Sequence, residues 1–209
     1  MKLLVTAGPT REFFDSVRFI SNPSSGKMGY AIAAEAARRG HGVVLVSGPV
    51  DLPDPPGVRV ERVVSADEMF EASVAAFDEC DAAVMTAAVC DYRPSRRLPH
   101  KLQKRNQPRQ ILLQPTRDIC AHLGSIKGDR VVVGFAMEDH DAHAHAESKL
   151  KRKNCDAVVL NGLANVGADL AEVEILTADG RWTGPYRGAK AEIAARIVER
   201  IEGWKVGKL

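Results

Sequence analysis

The sequence predicts an α/β protein: a Rossmann-like, doubly wound, mostly parallel sheet with a basic flap segment after its fourth strand. Two observations carry this. Short Val-rich runs such as Val43–Val46 and Arg130–Ala136 lack the alternation of a half-exposed sheet, so they read as strands buried on both faces. Between them lie segments with helical spacing, and that alternation builds a parallel sheet with helices against its faces. At 209 residues, with no internal repeat or linker, residues 1–209 read as one domain.

Lys2–Ala7 is an apolar first strand stopped by Gly8-Pro9. The polar loop that follows runs for about a dozen and a half residues, against roughly 2–6 in ordinary α/β connections. That length marks it as functional. Gly26 opens a helix whose Ala-rich body, Gly29–Arg39, ends at Gly40, a glycine C-cap. Val43–Val46 is a second strand, and a Pro-rich connection leads to a third at Val58–Val64. Ser65-Ala66-Asp67-Glu68 has the form of a capping box for a helix through Phe77. Asp81–Ala88 is the fourth strand.

An irregular basic segment, Cys90 to Gln110, comes next, with a short strand at Ile111–Leu113 and Thr116 as the cap of a helix through Leu123. Arg130–Ala136 is the fifth strand, Ala142–Lys153 an amphipathic helix and Ala157–Leu160 the sixth strand. Val173–Tyr186 reads as a hairpin turning at Asp179-Gly180, and Lys190–Ile201 as a closing helix.

In such sheets ligands sit at the carboxyl ends of the strands. Four polar segments meet there: Gly8–Gly29, Ala87–Lys104, Phe135–Asp141 and the strand end at Asn161. Ser24-Ser25-Gly26-Lys27-Met28-Gly29 places glycines, hydroxyls and a cation at a helix start, where free N–H groups and the helix dipole favour phosphate. The stretch from Asp91 to Arg117 carries Arg93, Arg96, Arg97, Lys101, Lys104, Arg105, Arg109 and Arg117 with no acid between Asp91 and Asp118. On its own it reads as a solvated charged loop. Leaving strand four at the ligand edge, it could instead surround a polyanion together with Arg11, Arg18 and Lys27.

Two familiar nucleotide motifs fail. A dinucleotide turn needs its glycines directly after strand one and an acid ending strand two, yet strand two ends in Ser47-Gly48-Pro49. A Walker loop needs a hydroxyl after Gly26-Lys27, where Met28 stands. Tyr186-Arg-Gly-Ala-Lys190 has the spacing of a reductase Tyr–Lys pair but reads as turn and helix surface. His140, His143 and His145 read as a polar helix start rather than a metal site.

Net charge is +2, with 45% apolar and 27% charged residues, so no global field for nucleic acid or a membrane is implied. No run suits a membrane span or a signal segment, and four scattered cysteines suggest neither disulfides nor zinc. The chain reads as cytoplasmic.

The motifs in hand resemble those of bacterial phosphopantothenate–cysteine ligases of coenzyme A biosynthesis. The matching blocks are T-A-G-P-T-R-E at Thr6–Glu12, D-x-V-R-F-I-S-N-x-S-S-G-K-M-G at Asp15–Gly29, and V-x-L-V-S-G-P-V at Val43–Val50. They continue with A-A-V-x-D-Y at Ala87–Tyr92, K-L-x-K at Lys101–Lys104, T-x-D-I at Thr116–Ile119, V-G-F-A-x-E at Val133–Glu138, K-L-x-x-K-N-x-D at Lys149–Asp156, and Asn161. The resemblance implies a two-step ligase. The carboxylate of 4′-phosphopantothenate takes a cytidylyl group from CTP, releasing pyrophosphate, and L-cysteine then displaces CMP.

It further implies catalytic roles for Asn22, which would hold the acyl-cytidylate, and Lys101, which would stabilise charge in the first step. Arg18, Asn22 and Ala88 would bind phosphopantothenate. Ser24, Ser25 and Gly26 would contact the triphosphate. Met85, Thr86, Ala87, Asp91, Lys101, Arg117, Asp118, Ile119, Cys120, Phe135, Lys149 and Lys153 would surround the nucleotide. Mg²⁺ would accompany CTP, with no ligands identified. The resemblance also implies a homodimer completed by the flap, and a stand-alone form without the flavin-dependent decarboxylase that many relatives carry N-terminally. Departures from the family pattern are Phe13-Phe14, Cys90, Gln103 and Arg117. The alternative reading is a non-catalytic nucleotide- or NAD(P)-binding module on the same fold.

Overall fold

The computed structural model describes residues 1–206 and contains an eight-stranded sheet. Its parallel part runs β5 (Arg59–Arg62), β4 (Gly42–Ser47), β1 (Lys2–Ala7), β6 (Ala82–Met85), β9 (Val131–Met137), β10 (Ala157–Asn161). In order of appearance these strands are 3-2-1-4-5-6, the doubly wound arrangement, with its reversal of direction between β1 and β6. A hairpin of β11 (Leu170–Thr177) and β12 (Trp182–Ala189) extends the β10 edge antiparallel.

Alternate residues of each strand enter two separate cores, which is why the strands read as unbroken apolar runs. Leu3, Val5, Val43, Leu45, Val84 and Val133 face α1 (Lys27–Arg38) and α5 (Lys190–Val206). Leu4, Val44, Val46, Ala83 and Val132 face α2 (Ala66–Phe77), α3 (Ile119–Ile126) and α4 (Ala142–Arg152). The capping box at Ser65 and Glu68 is formed in both directions.

Three local expectations are corrected. The long first segment is not all loop: it holds the hairpin β2 (Arg11–Phe13) and β3 (Phe19–Ser21), turned by the buried Asp15. The strand expected at Ile111–Leu113 lies at Leu113–Pro115 as β8, paired with β7 (Tyr92–Pro94) inside the basic segment. The cap of α3 is Asp118, whose carboxylate accepts from Ala121 N at 3.0 Å. Thr116 is spent elsewhere, its hydroxyl donating to the Cys90 carbonyl at 2.7 Å. No helix among the described residues is long and apolar enough to cross a membrane.

Candidate active site

The reversal between β1 and β6 opens a cleft that carries two adjoining cavities. The larger, of about 480 Å³, runs from the start of α1 along the β6 exit to the end of β10. The smaller, of about 180 Å³, lies between the β6 exit and the start of α3. Ala87, Val89, Asp91, Phe135 and Lys149 line both, so the two are lobes of one site.

Close helix–strand approach shapes the larger lobe. A Cβ on Gly29 would stand 2.4 Å from Thr86 Oγ1 and 2.6 Å from Ala7 Cβ, so only glycine lets the first turn of α1 press on the ends of β1 and β6. Gly26, the N-cap, is left-handed at φ 74°, and its would-be Cβ would meet Val50 at 2.9 Å. Neither a capping side chain nor an acid satisfies the first turn of α1. Its free N–H groups therefore suit an anion. Asn22 stands at the mouth, where its side-chain amide donates to the carbonyls of Ala88 and Val89, 3.1 Å each.

The smaller lobe is walled by Met85, Arg117, Asp118, Ile119 and Cys120. Lys149 donates to the Phe135 carbonyl at 2.5 Å; burial, aided by the nearby Lys153 charge, pushes its pKa down. Lys153 lies outside both lobes and holds Asp118 at 3.1 Å. Arg117 contributes to the wall, but its guanidinium is committed to Asp67 and Glu71 of α2 and lies 3.9 Å over the Phe70 ring. The four cysteines are free and buried, with Cys120 Sγ 3.5 Å from Cys155 Sγ.

Lys101 lines neither lobe; it is exposed and makes no ion pair among the described residues. What anchors its segment is the next residue. Asp15, with no exposed surface, accepts from Leu102 N at 3.0 Å and from the backbones of Val17 and Arg18. Arg18 closes the joint: it grips Asp15 through two guanidinium nitrogens and donates to the Leu102 carbonyl at 2.6 Å. Burial pushes the Asp15 carboxyl up, but the bonds from Leu102, Arg18 and Val17 outweigh it and hold it far below the usual range. Phe13 and Phe14, departures at the sequence level, serve the same joint: Arg97 lies 4.7 Å over Phe13 and Arg18 5.3 Å over Phe14.

Of the expected residues, Asn22, Ser24, Ser25, Gly26, Thr86, Ala87, Ala88, Asp91, Phe135 and Lys149 line the larger lobe. Met85, Arg117, Asp118, Ile119 and Cys120 line the smaller. Arg18, Lys101 and Lys153 stand outside both. Sequence reasoning missed Asn165, Gly167 and Lys190, which close the far end. Lys190, expected on a helix surface, is 9% exposed and faces inward. The signal was its place as the first residue of a helix leaving the sheet's ligand edge.

Comparisons with known proteins agree with this architecture. The chain is 44% identical over 206 residues to a Cysteine/Cysteine sulfinic acid decarboxylase from an unknown prokaryotic organism, covering 96% of this chain and 57% of that protein. It is 39% identical over 204 residues to the Coenzyme A biosynthesis bifunctional protein CoaBC of Bacillus subtilis (strain 168), covering 95% of this chain and 50% of that protein. The chain thus spans about half the length of these relatives. The crystal structure of the C-terminal domain of a CoaBC superposes with TM-score 0.84 at 39% identity, over 97% of this chain and 94% of the other. The sequence pattern of the family described as DNA/pantothenate metabolism flavoprotein C-terminal domain matches residues 1–204, and the chain belongs to that family.

Proposed function

We propose that the chain is a phosphopantothenate–cysteine ligase that uses CTP. The observation that carries this is the two-lobed cleft at the β1/β6 reversal, with an uncapped helix start in one lobe and Asn22 fixed at its mouth. Membership of the family, and likeness to proteins of coenzyme A biosynthesis, support it.

In this reading the smaller lobe takes the base between Met85, Phe135 and the start of α3. The phosphates run past Phe135 to Ser24, Ser25 and the N–H groups of α1. The pantothenate carboxylate approaches from the side of Asn22 and Ala88. A carboxylate attacks phosphorus poorly because both partners are anionic, so cations and N–H donors contribute more than a general base. Lys149 supplies one positive charge from the wall, and Lys101 supplies another from the flap. The carboxylate oxygen bonds to the α-phosphorus while the α–β bridging bond breaks, and pyrophosphate leaves with the electron pair. The cysteine amine then attacks the acyl carbon, loses a proton, and expels CMP. Asn22 holds the acyl-cytidylate for this second step.

Mg²⁺ fits as a companion of the nucleotide. Asp91 lines both lobes and has no ion pair among the described residues, and one carboxylate with substrate phosphates suits this ion. Bound there, the ion would neutralise phosphate charge. A homodimer is supported by the exposed apolar side chains Phe19, Tyr92 and Leu113 on the two small sheets, with Val17 and Leu112 beside them, Leu112 exposed by 75%. Sedimentation would read the oligomeric state directly.

The test is to combine the protein with 4′-phosphopantothenate, CTP and Mg²⁺. Pyrophosphate should appear before cysteine is added, and CMP with the amide after it. No pyrophosphate from either CTP or ATP would overturn the reading.

A further inference from the structure

The far end of the larger lobe holds a cation that neither the resemblance nor the assigned roles account for. Lys190 begins α5, and with 9% of its surface exposed it is almost wholly buried. Its ammonium donates to a single backbone carbonyl, that of Asn165 at 3.1 Å, and has no carboxylate partner among the described residues. The neighbouring carboxylate, Asp169, points outward, 87% exposed, and is taken by Lys27 at 2.6 Å. Burial pushes the Lys190 pKa down and the Lys27 charge adds to that push, while the charge of Asp169 opposes them without forming an ion pair with Lys190. A buried ammonium with no ion-pair partner is a costly element for a fold to keep.

Its surroundings indicate what compensates it. Lys27 Nζ also donates to the Gly167 carbonyl at 3.2 Å, so the two lysines bracket the loop from Gly162 to Asp169. Both line the same lobe as Ser24, Ser25 and the free N–H groups at the start of α1. Asn161, at the end of β10 in the same wall, has a buried side-chain oxygen without a partner among the described residues. The base lobe lies at the opposite end, beyond Phe135.

We infer that Lys190, with Lys27, forms the subsite for the terminal phosphates of the nucleoside triphosphate and retains the departing pyrophosphate. This rests on the ligase reading for the identity of the nucleotide, but the chemistry recognised is a polyphosphate chain. As the α–β bridging P–O bond breaks, its electron pair goes to the pyrophosphate oxygen. The ammonium groups of Lys190 and Lys27 lower the energy of that added charge. Lys190 is therefore a binding residue that also favours the leaving group. The Asn165 carbonyl holds the Lys190 ammonium, and Asp169 with the Gly167 carbonyl the Lys27 ammonium, until the ligand arrives.

The test uses calorimetry with inorganic tripolyphosphate, CTP, CMP and 4′-phosphopantothenate on the wild-type protein and on Lys190→Met, which keeps the length and apolar stem. Lys190→Met should weaken tripolyphosphate and CTP by about 10- to 100-fold, the loss expected of one charge-assisted contact. CMP and phosphopantothenate should bind as before. Lys27→Met, on a half-exposed side chain, repeats the experiment with less risk to folding and should weaken the same two ligands by a smaller factor. Unchanged tripolyphosphate and CTP affinity in a folded Lys190→Met would overturn the inference, as would selective loss of phosphopantothenate, which would make this the monoester's site. If the wild type releases no pyrophosphate from CTP or ATP, the ligase reading fails while the tripolyphosphate arm still decides the subsite.

Discussion

The cavity wall and the flap are built on opposite principles, although the proposed ligase reaction asks both to present cations to one cleft. In the wall, position is set by backbone: Gly29 against β1 and β6, Gly26 in a left-handed turn, Lys149 on a strand carbonyl. In the flap, Lys101, Lys104, Arg105 and Arg109 are exposed and make no ion pair among the described residues. Its attachment at the Lys101 end is the Leu102–Asp15–Arg18 joint. In the proposed ligase, binding then belongs to a preorganised surface, and charge stabilisation during reaction to a flap that has to be placed over it.

The largest effect that tests this division is Lys101→Gln. Loss of a charge acting in the transition state should lower the rate of pyrophosphate release by about 10²–10³-fold. Stabilisation of the protein by CTP in thermal unfolding should persist, because the wall is untouched. Loss of CTP stabilisation together with rate would break the comparison, since Lys101 would then belong to the binding surface.

Gly29→Ala attacks the wall instead. The added methyl meets Thr86, Ala7 and the Thr6 carbonyl, at 3.1 Å for the last, so helix or strand must shift. Overpacking of this kind should destabilise by about 1–3 kcal/mol and weaken CTP binding in parallel. An unchanged melting temperature would show that the first turn of α1 does not depend on this approach.

Asp15→Asn tests the joint between the two regions. The amide retains some bonds but loses the charge that organises Val17, Arg18 and Leu102. Mispositioning Lys101 through that joint should slow the first step by about 2- to 30-fold, the range for coupling through intervening residues. A double variant with Lys101→Gln should show no further loss of rate. Additive losses would mean that Asp15 serves the fold and not the flap.

The sequence revealed the wall more fully than the flap, for physical reasons. Valine runs and glycine-capped helices specify a parallel sheet locally, so β1, β4, β9 and α1 were predicted within a residue or two. The site position followed, because strand ends and a glycine-rich helix start sit together in any such sheet. The hairpin β2–β3 was hidden because Asp15, a turn residue by type, is buried as the centre of a hydrogen-bond network with a segment 87 residues away. Lys190 was misplaced for a similar reason: a lysine at a helix start looks solvated until the loop above it is folded back. Thr116 lost the cap to Asp118 because its hydroxyl met the Cys90 carbonyl, a tertiary contact that no local rule contains.

The smallest predicted effect tests a wall cation by pH. Burial holds the Lys149 pKa below its ordinary value, with Lys153 adding repulsion. Between that depressed value and about 10.4, the ordinary lysine value, the unfolded chain binds more protons than the folded one. Stability must therefore rise with pH across that window and stay level below it. In Lys149→Met this contribution is absent, so the wild-type minus variant difference in unfolding free energy should grow as pH is raised from 7 towards 10. CTP reverses the balance, since its phosphates favour the charged ammonium. Binding should take up protons in the same window, and CTP affinity should weaken as pH rises through it. A flat difference for Lys149→Met would mean that its ammonium is compensated within the free protein, and the wall would then not be preorganised for an anion at this position.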